Sequence, residues 1–222
     1  MRTSCRWAVR RTMVAVLLLM TATTGCKSSH QPAKEESGES AETIVILRHG
    51  EKPASGLGQL SCRGLNRALA LPDLLIGRYG KPDAIYVPNP SDQMKDHGTL
   101  YSYVRPLATM EPTAIRAGIP VNAQIGYTQI DQLQKDLTQP AYANARVFVA
   151  WEHGYLREFA MRFLKSYGGD VSAVPPWPAA DFDSIYVFQF TRHDGKPHLD
   201  FRIDHENLDG SLSDTCPGAS HS

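Results

Sequence analysis

The chain of 222 residues is long enough for one domain with a sizeable core and short appendages. Its 42% hydrophobic and 21% charged residues exclude a disordered or fibrous protein and fit a globular one. The formal charge is zero, yet residues 1–25 hold Arg2, Arg6, Arg10 and Arg11 and no acid. The other 19 basic residues face 23 acidic ones, and so mildly acidic a body gives no reason to expect nucleic-acid binding.

Those four arginines precede the apolar run Met13–Met20, and Thr21-Ala22-Thr23-Thr24-Gly25 follows. A basic start, a short hydrophobic middle and small residues before a cut predict a secretory signal over 1–25. The run falls short of the roughly 20 residues that span a bilayer. Thr24-Gly25-Cys26 resembles a bacterial lipoprotein box, which implies a lipid on Cys26; Thr23 stands where that box usually has leucine. The expected location is therefore the periplasm, anchored to a membrane through Cys26, with a soluble periplasmic protein as the alternative. Residues 26–42 carry no large apolar side chain and predict a flexible tether.

Thr43–Leu47 is a short β-branched run of the kind buried on both sheet faces, and it ends in Arg48-His49-Gly50. Ligands of open α/β sheets bind at that carboxyl edge, and the glycine leaves room for one close to the backbone. Ser61 suits a helix cap, with Leu65, Ala68, Leu69 and Leu75 as the buried face and Pro72 as a kink or a second start. The strand Ala84–Val87 completes a βαβ unit. Pro88–Gly98 reads as a loop over the edge that holds His49, with Asp92 and His97 as candidate leaving-group contacts against a solvent-facing reading.

Arg105-Pro106 suits a first helical turn. A short strand is expected near Asn122, and Ile130, Leu133 and Leu137 share a helix face. Arg146–Trp151 is a second buried-strand run, ending in Glu152-His153-Gly154, and Leu156, Phe159, Ala160, Phe163 and Leu164 form the apolar stripe of the helix after it. Asp194-Gly195 joins Ser184–Phe190 to Lys196–Asp204 as a β-hairpin. His198, Asp200, Arg202 and Asp204 alternate along one face of its second strand and imitate a metal site, but a solvated face is the simpler reading. Cys62 and Cys216 remain once Cys5 leaves with the signal and Cys26 takes lipid; in an oxidising compartment they can pair, and neither has metal-ligand spacing.

Arg48-His49-Gly50 after the first strand, the segment Leu60–Ala68, Arg105 followed by Thr113-Ala114, and His153-Gly154 together resemble the histidine phosphatase superfamily, the phosphoglycerate mutase-like enzymes. Ser61 stands for that family's threonine and Arg67 for its glutamine, and Pro112 departs from its pattern. The resemblance implies a three-layer α/β/α sandwich with a mostly parallel central sheet, here with a C-terminal β-hairpin. The catalytic domain would run over 43–210, with 211–222 as a tail loose unless Cys216 pins it. It implies phosphate monoester cleavage through a covalent phosphohistidine at His49, with Arg48, Arg105 and His153 holding the phosphate of a small substrate and no metal or cofactor. The general acid is not settled by the residues. Glu51 and Glu152 adjoin the core positions, with Glu111, Asp131 and Asp136 behind them. Without an acid, activity would be confined to good leaving groups, phosphohistidine and anhydrides among them. The rival reading is a catalytically degenerate lipoprotein of the same fold that binds a ligand or an envelope partner.

Overall fold

The computed structural model describes residues 42–193 and 196–218. The expected signal, the lipidation site Cys26, all of the tether but Glu42, and the hairpin turn Asp194-Gly195 lie outside the described residues.

The strand β1 (Thr43–Arg48) is the axis of the fold. Ile44, Val45, Ile46 and Leu47 are all fully buried. Alternation sends Ile44 and Ile46 into one core and Val45 and Leu47 into the other, so the strand has helices on both faces. Beside it runs β6 (Arg146–Trp151), parallel and in register from Thr43 with Arg146 to Arg48 with Trp151. β2 (Ala84–Tyr86) and the short β5 (Val121–Asn122) continue the parallel half. On the other side β7 (Ser184–His193) pairs antiparallel with β1, and β8 (Lys196–His205) pairs antiparallel with β7. The order is β5-β2-β6-β1-β7-β8, a mostly parallel sheet with the C-terminal hairpin on one flank.

Helices α1 (Cys62–Tyr79) and α2 (Arg105–Ala117) cover one face; α3 (Ile130–Leu137) and α4 (His153–Ser166) cover the other. Ser61 caps α1, its hydroxyl accepting from Gly64 N at 3.1 Å. α1 runs unbroken through Pro72, which therefore starts no second segment. A mid-helix proline costs about 3 kcal/mol. Leu71 and Leu75, both fully buried beside it, each contribute roughly 1.5–3 kcal/mol, so packing wins.

The stretch 88–98 is also more ordered than its composition suggests. Gln93–Asp96 (β3) and Thr99–Ser102 (β4) form a separate hairpin, joined by His97-Gly98. Both turn residues have positive φ, 46° and 88°, the demand of a two-residue type I′ turn. The last described residues are pinned. Cys62 is disulfide-bonded to Cys216, and Asn66 donates to the carbonyls of Ser213 and Thr215, both at 2.8 Å.

Candidate active site

Where β1 ends, the His49 amide donates to Trp151 O at 3.1 Å, which fixes the backbone against β6. The imidazole is buried, 2% exposed. Its Nδ1 lies 2.8 Å from Gly50 O. A carbonyl can only accept, so Nδ1 carries the proton and Nε2 keeps a free lone pair. Burial, with Arg105 and Arg48 adding repulsion, pushes the ring's pKa down to about 3. His49 is thus a neutral base with one nitrogen committed and the other available.

The room beside Gly50 is taken by protein, not kept for a ligand. A β-carbon there would lie 2.9 Å from Gly64 O, and one on Gly64 would strike the backbone of Glu51. The two glycines face each other so that the His49 turn can seat on the first turn of α1. A second tie comes from α2: Gly50 N donates to Thr109 Oγ1 at 2.9 Å, and that hydroxyl donates to Arg105 O at 2.8 Å.

Arg48 is 4% and Arg105 2% exposed. Arg48 Nη1 donates to Ala179 O at 2.7 Å and Asp181 O at 3.0 Å, and its guanidinium lies 3.8 Å over the Phe182 ring. Arg105, the first residue of α2, donates through Nη1 to Asp96 Oδ2 at 2.8 Å and through Nη2 to Met94 Sδ at 3.4 Å. Asp96 also accepts from Lys52 Nζ at 2.7 Å. The β3–β4 hairpin therefore serves the site through the Asp96 carboxylate and the Met94 thioether.

His153 opens α4, its side chain a quarter exposed. Glu152 caps that helix, Oε2 accepting from Gly154 N at 2.7 Å and Tyr155 N at 3.1 Å, while Oε1 touches His153 Nδ1 out of hydrogen-bond alignment. Glu152 acts electrostatically on both His49 and Arg48, so strand alternation has not turned it away. Its burial favours the protonated form, but His153 and the two amides outweigh that and hold it below the usual carboxylate range.

Seven buried side-chain nitrogen or oxygen atoms have no hydrogen-bond partner among the described residues. Three of them lie at this site, Arg48 Nε, Tyr103 Oη and Arg105 Nε, while a fourth, His153 Nδ1, sits against Glu152 Oε1. Each such orphan costs roughly 1–3 kcal/mol. Acting on one imidazole, this set can take a compact anion with several acceptor oxygens.

The four core residues expected from the sequence thus come to one sheet edge. The Glu51 carboxylate is held by two arginines. Arg67 Nε reaches its Oε2 at 2.9 Å, Arg67 Nη2 its Oε1 at 2.7 Å, and Arg63 Nε its Oε1 at 3.1 Å. Burial works against its ionisation, but these arginines keep it below the usual range. On α3, exposed Asp131 pairs with Arg162 and half-buried Asp136 accepts from Gln132, and Glu111 is exposed on α2. Asp92 braces Tyr127 N at 3.0 Å, and His97 sits exposed in the hairpin turn. Sequence reasoning missed Tyr103, Thr109, Asp96, Lys52 and Phe182. Only Thr109, one helical turn after Arg105, left a signal.

No family model and no curated protein matches the chain. Among solved structures it is similar to a protein assigned as phosphohistidine phosphatase SixA from Nakamurella multipartitia, 17% identical over 74% of this chain and 96% of that one, with a TM-score of 0.46. Others are the mycobacterial glucosyl-3-phosphoglycerate phosphatase, 14% identical over 73% and 97%, TM-score 0.45, and a phosphoserine phosphatase from Entamoeba histolytica, 13% identical over 77% and 99%, TM-score 0.44. Likeness at this level does not decide an activity, which rests on the site itself.

Proposed function

We propose that this chain is a phosphohydrolase of the histidine phosphatase type, acting through a phosphohistidine at His49. The observation that carries the reading is the neutral His49 ring, with Nδ1 tied to Gly50 O and Nε2 left free beside orphaned donors of Arg48 and Arg105. Nε2 would attack phosphorus as the ester P–O bond breaks and the leaving oxygen departs with the bonding pair. Water then attacks the phosphoimidazole, releasing inorganic phosphate and the neutral ring. Arg48, Arg105 and His153 would hold the peripheral oxygens, and the two guanidiniums strengthen their hold as charge develops. The charge the reaction needs comes from these side chains.

The test is turnover of p-nitrophenyl phosphate by the full-length protein, with samples quenched in alkaline denaturant and analysed by intact mass for a base-stable, acid-labile phosphoryl adduct. His49→Ala should lose both turnover and adduct. Equal rates for His49→Ala and wild type would favour the ligand-binding rival, which gains some footing from the absence of an uncommitted acid at the site among the described residues.

The exported, membrane-anchored state is part of the same proposal and rests on residues 1–26 alone. Cys26→Ser should release the protein from membranes and abolish incorporation of labelled palmitate.

A further inference from the structure

Building on the phosphohydrolase reading, we propose that the preferred substrates are aryl phosphate monoesters, in which phosphate is carried by a phenolic oxygen. Two independent features of the site point there.

The first is the fate of the acids. The carboxylates at or beside the site are all committed. Asp96 is held by Lys52 and Arg105, and Glu152 by two helix amides and His153. Glu51 is held by Arg63 and Arg67, and Asp181 by the amides of Asp183 and Ser184 and the Ser184 hydroxyl. Each sits below its ordinary range because these partners outweigh burial. A carboxylate that stays ionised cannot protonate a departing oxygen. The leaving group must then depart as an anion, which a phenol with a pKa of about 10 does far more readily than an alkyl alcohol, close to water at about 16.

The second is the lining. Tyr103 presents its ring edge-on to His49, with centroids 5.9 Å apart. Tyr127 follows at 5.6 Å from Tyr103, and Tyr155 at 5.6 Å from Tyr127, both T-shaped. On the other flank Phe182 lies 6.3 Å from His49 beneath the Arg48 guanidinium. Tyr103 is fully buried, whereas Tyr127, Tyr155 and Phe182 are half-buried. A run of rings that begins at the nucleophile and ends part-exposed offers edge-to-face contact to a planar leaving group, each contact adding to simple burial.

The experiment compares kcat/KM of the full-length protein for phenyl phosphate, phosphotyrosine, β-glycerophosphate, phosphoserine and acetyl phosphate. Acetyl phosphate has a good leaving group and no ring, so it separates the two features. The expected result is that both aryl esters exceed both alkyl esters by on the order of 1,000-fold, since the loose transition state puts most charge on the leaving oxygen. Tyr127→Leu and Tyr155→Leu should each lower the phenyl-to-acetyl ratio of kcat/KM by about 2- to 10-fold, the range of one lost aromatic contact. Alkyl esters turned over within a few-fold of aryl esters would overturn the proposal. So would leucine variants that leave the phenyl-to-acetyl ratio unchanged. Failure of the underlying reading looks different: none of the five compounds would then be turned over in a His49-dependent way.

Discussion

Two buried arginine clusters lie one short turn apart in this molecule, and they are built on opposite plans. Around Arg67, fully buried in α1, every donor direction ends on a carboxylate: Glu51 takes Nε and Nη2, Glu206 takes Nη1, and Asp209 also takes Nη2. Around Arg48 and Arg105, carbonyls, a thioether and the single shared Asp96 satisfy some donors and leave both Nε atoms without a partner. A guanidinium whose donors are all matched to anions is a structural rivet. One left short of acceptors among other cations is prepared for an anion that arrives from outside.

The largest effects should come from breaking each plan in turn. Arg105→Ala should lower kcat/KM by about 100- to 1,000-fold, the loss of one preorganised donor set. Its melting temperature should move little, because Lys52 remains on Asp96 and repulsion with Arg48 is relieved. Arg67→Met should do the reverse. It strands the buried Glu206 and should cost about 3–5 kcal/mol of stability. The loss should be greatest above about pH 8 and smaller below it, since burial already pushes Glu206 up to about 8 and a proton can replace the missing cation. Paired kinetics and thermal denaturation on the two variants decide it; equal damage to both readouts in both would erase the distinction.

The next test uses pH. The His49 pKa is depressed in the fold to about 3 from an ordinary 6.5. Across that window the unfolded chain binds a proton that the native one refuses, so stability should rise with pH from about 3 to 6.5 and fall on acidification. His49→Gln should remove that component of acid sensitivity, measured as the change in urea midpoint between pH 7 and 5. In kcat/KM, no acid limb near 6.5 should be assignable to His49, whose pKa is pushed down to about 3.

The disulfide sharpens the structural side. Cys62 and Cys216 are 154 residues apart in sequence. Closing so long a loop should contribute roughly 2–4 kcal/mol. Reduction should therefore lower the melting temperature more than it lowers turnover at 25 °C, because the bond fastens the last described residues to the start of α1, where Arg63 and Asn66 also hold them.

The contrast between the clusters also marks what could be seen in the sequence. β1 and β6 were legible because strands buried on both faces leave continuous apolar runs, and the residues directly after each had to reach the carboxyl edge. That placed Arg48, His49 and His153 at the edge, and the family resemblance supplied the roles expected of them. Arg105 was singled out by the family pattern around it, whereas the carboxylates that make Arg67 a rivet lie up to 142 residues away in sequence. The β3–β4 hairpin was hidden because its polar strands pair only with each other and bury little beyond Asp96. Tyr103 was hidden because an aromatic before a helix reads as core until its hydroxyl proves to lack a partner.

The smallest expected effect tests how the two halves of the anion site are kept in register. Thr109 spans them with one hydroxyl, accepting from Gly50 N beside His49 and donating to the carbonyl of Arg105. Thr109→Val preserves shape and burial but leaves the Gly50 amide unpaired, which should cost about 1–3 kcal/mol. Neither His49 nor Arg105 loses a side-chain contact, so a purely structural role predicts a lower melting temperature with kcat/KM unchanged at 25 °C. A positioning role predicts a further drop of about 10-fold in kcat, since small displacements of a nucleophile are costly. Thr109→Ser, which restores the hydroxyl without the methyl group, should recover the rate in full and the stability only in part.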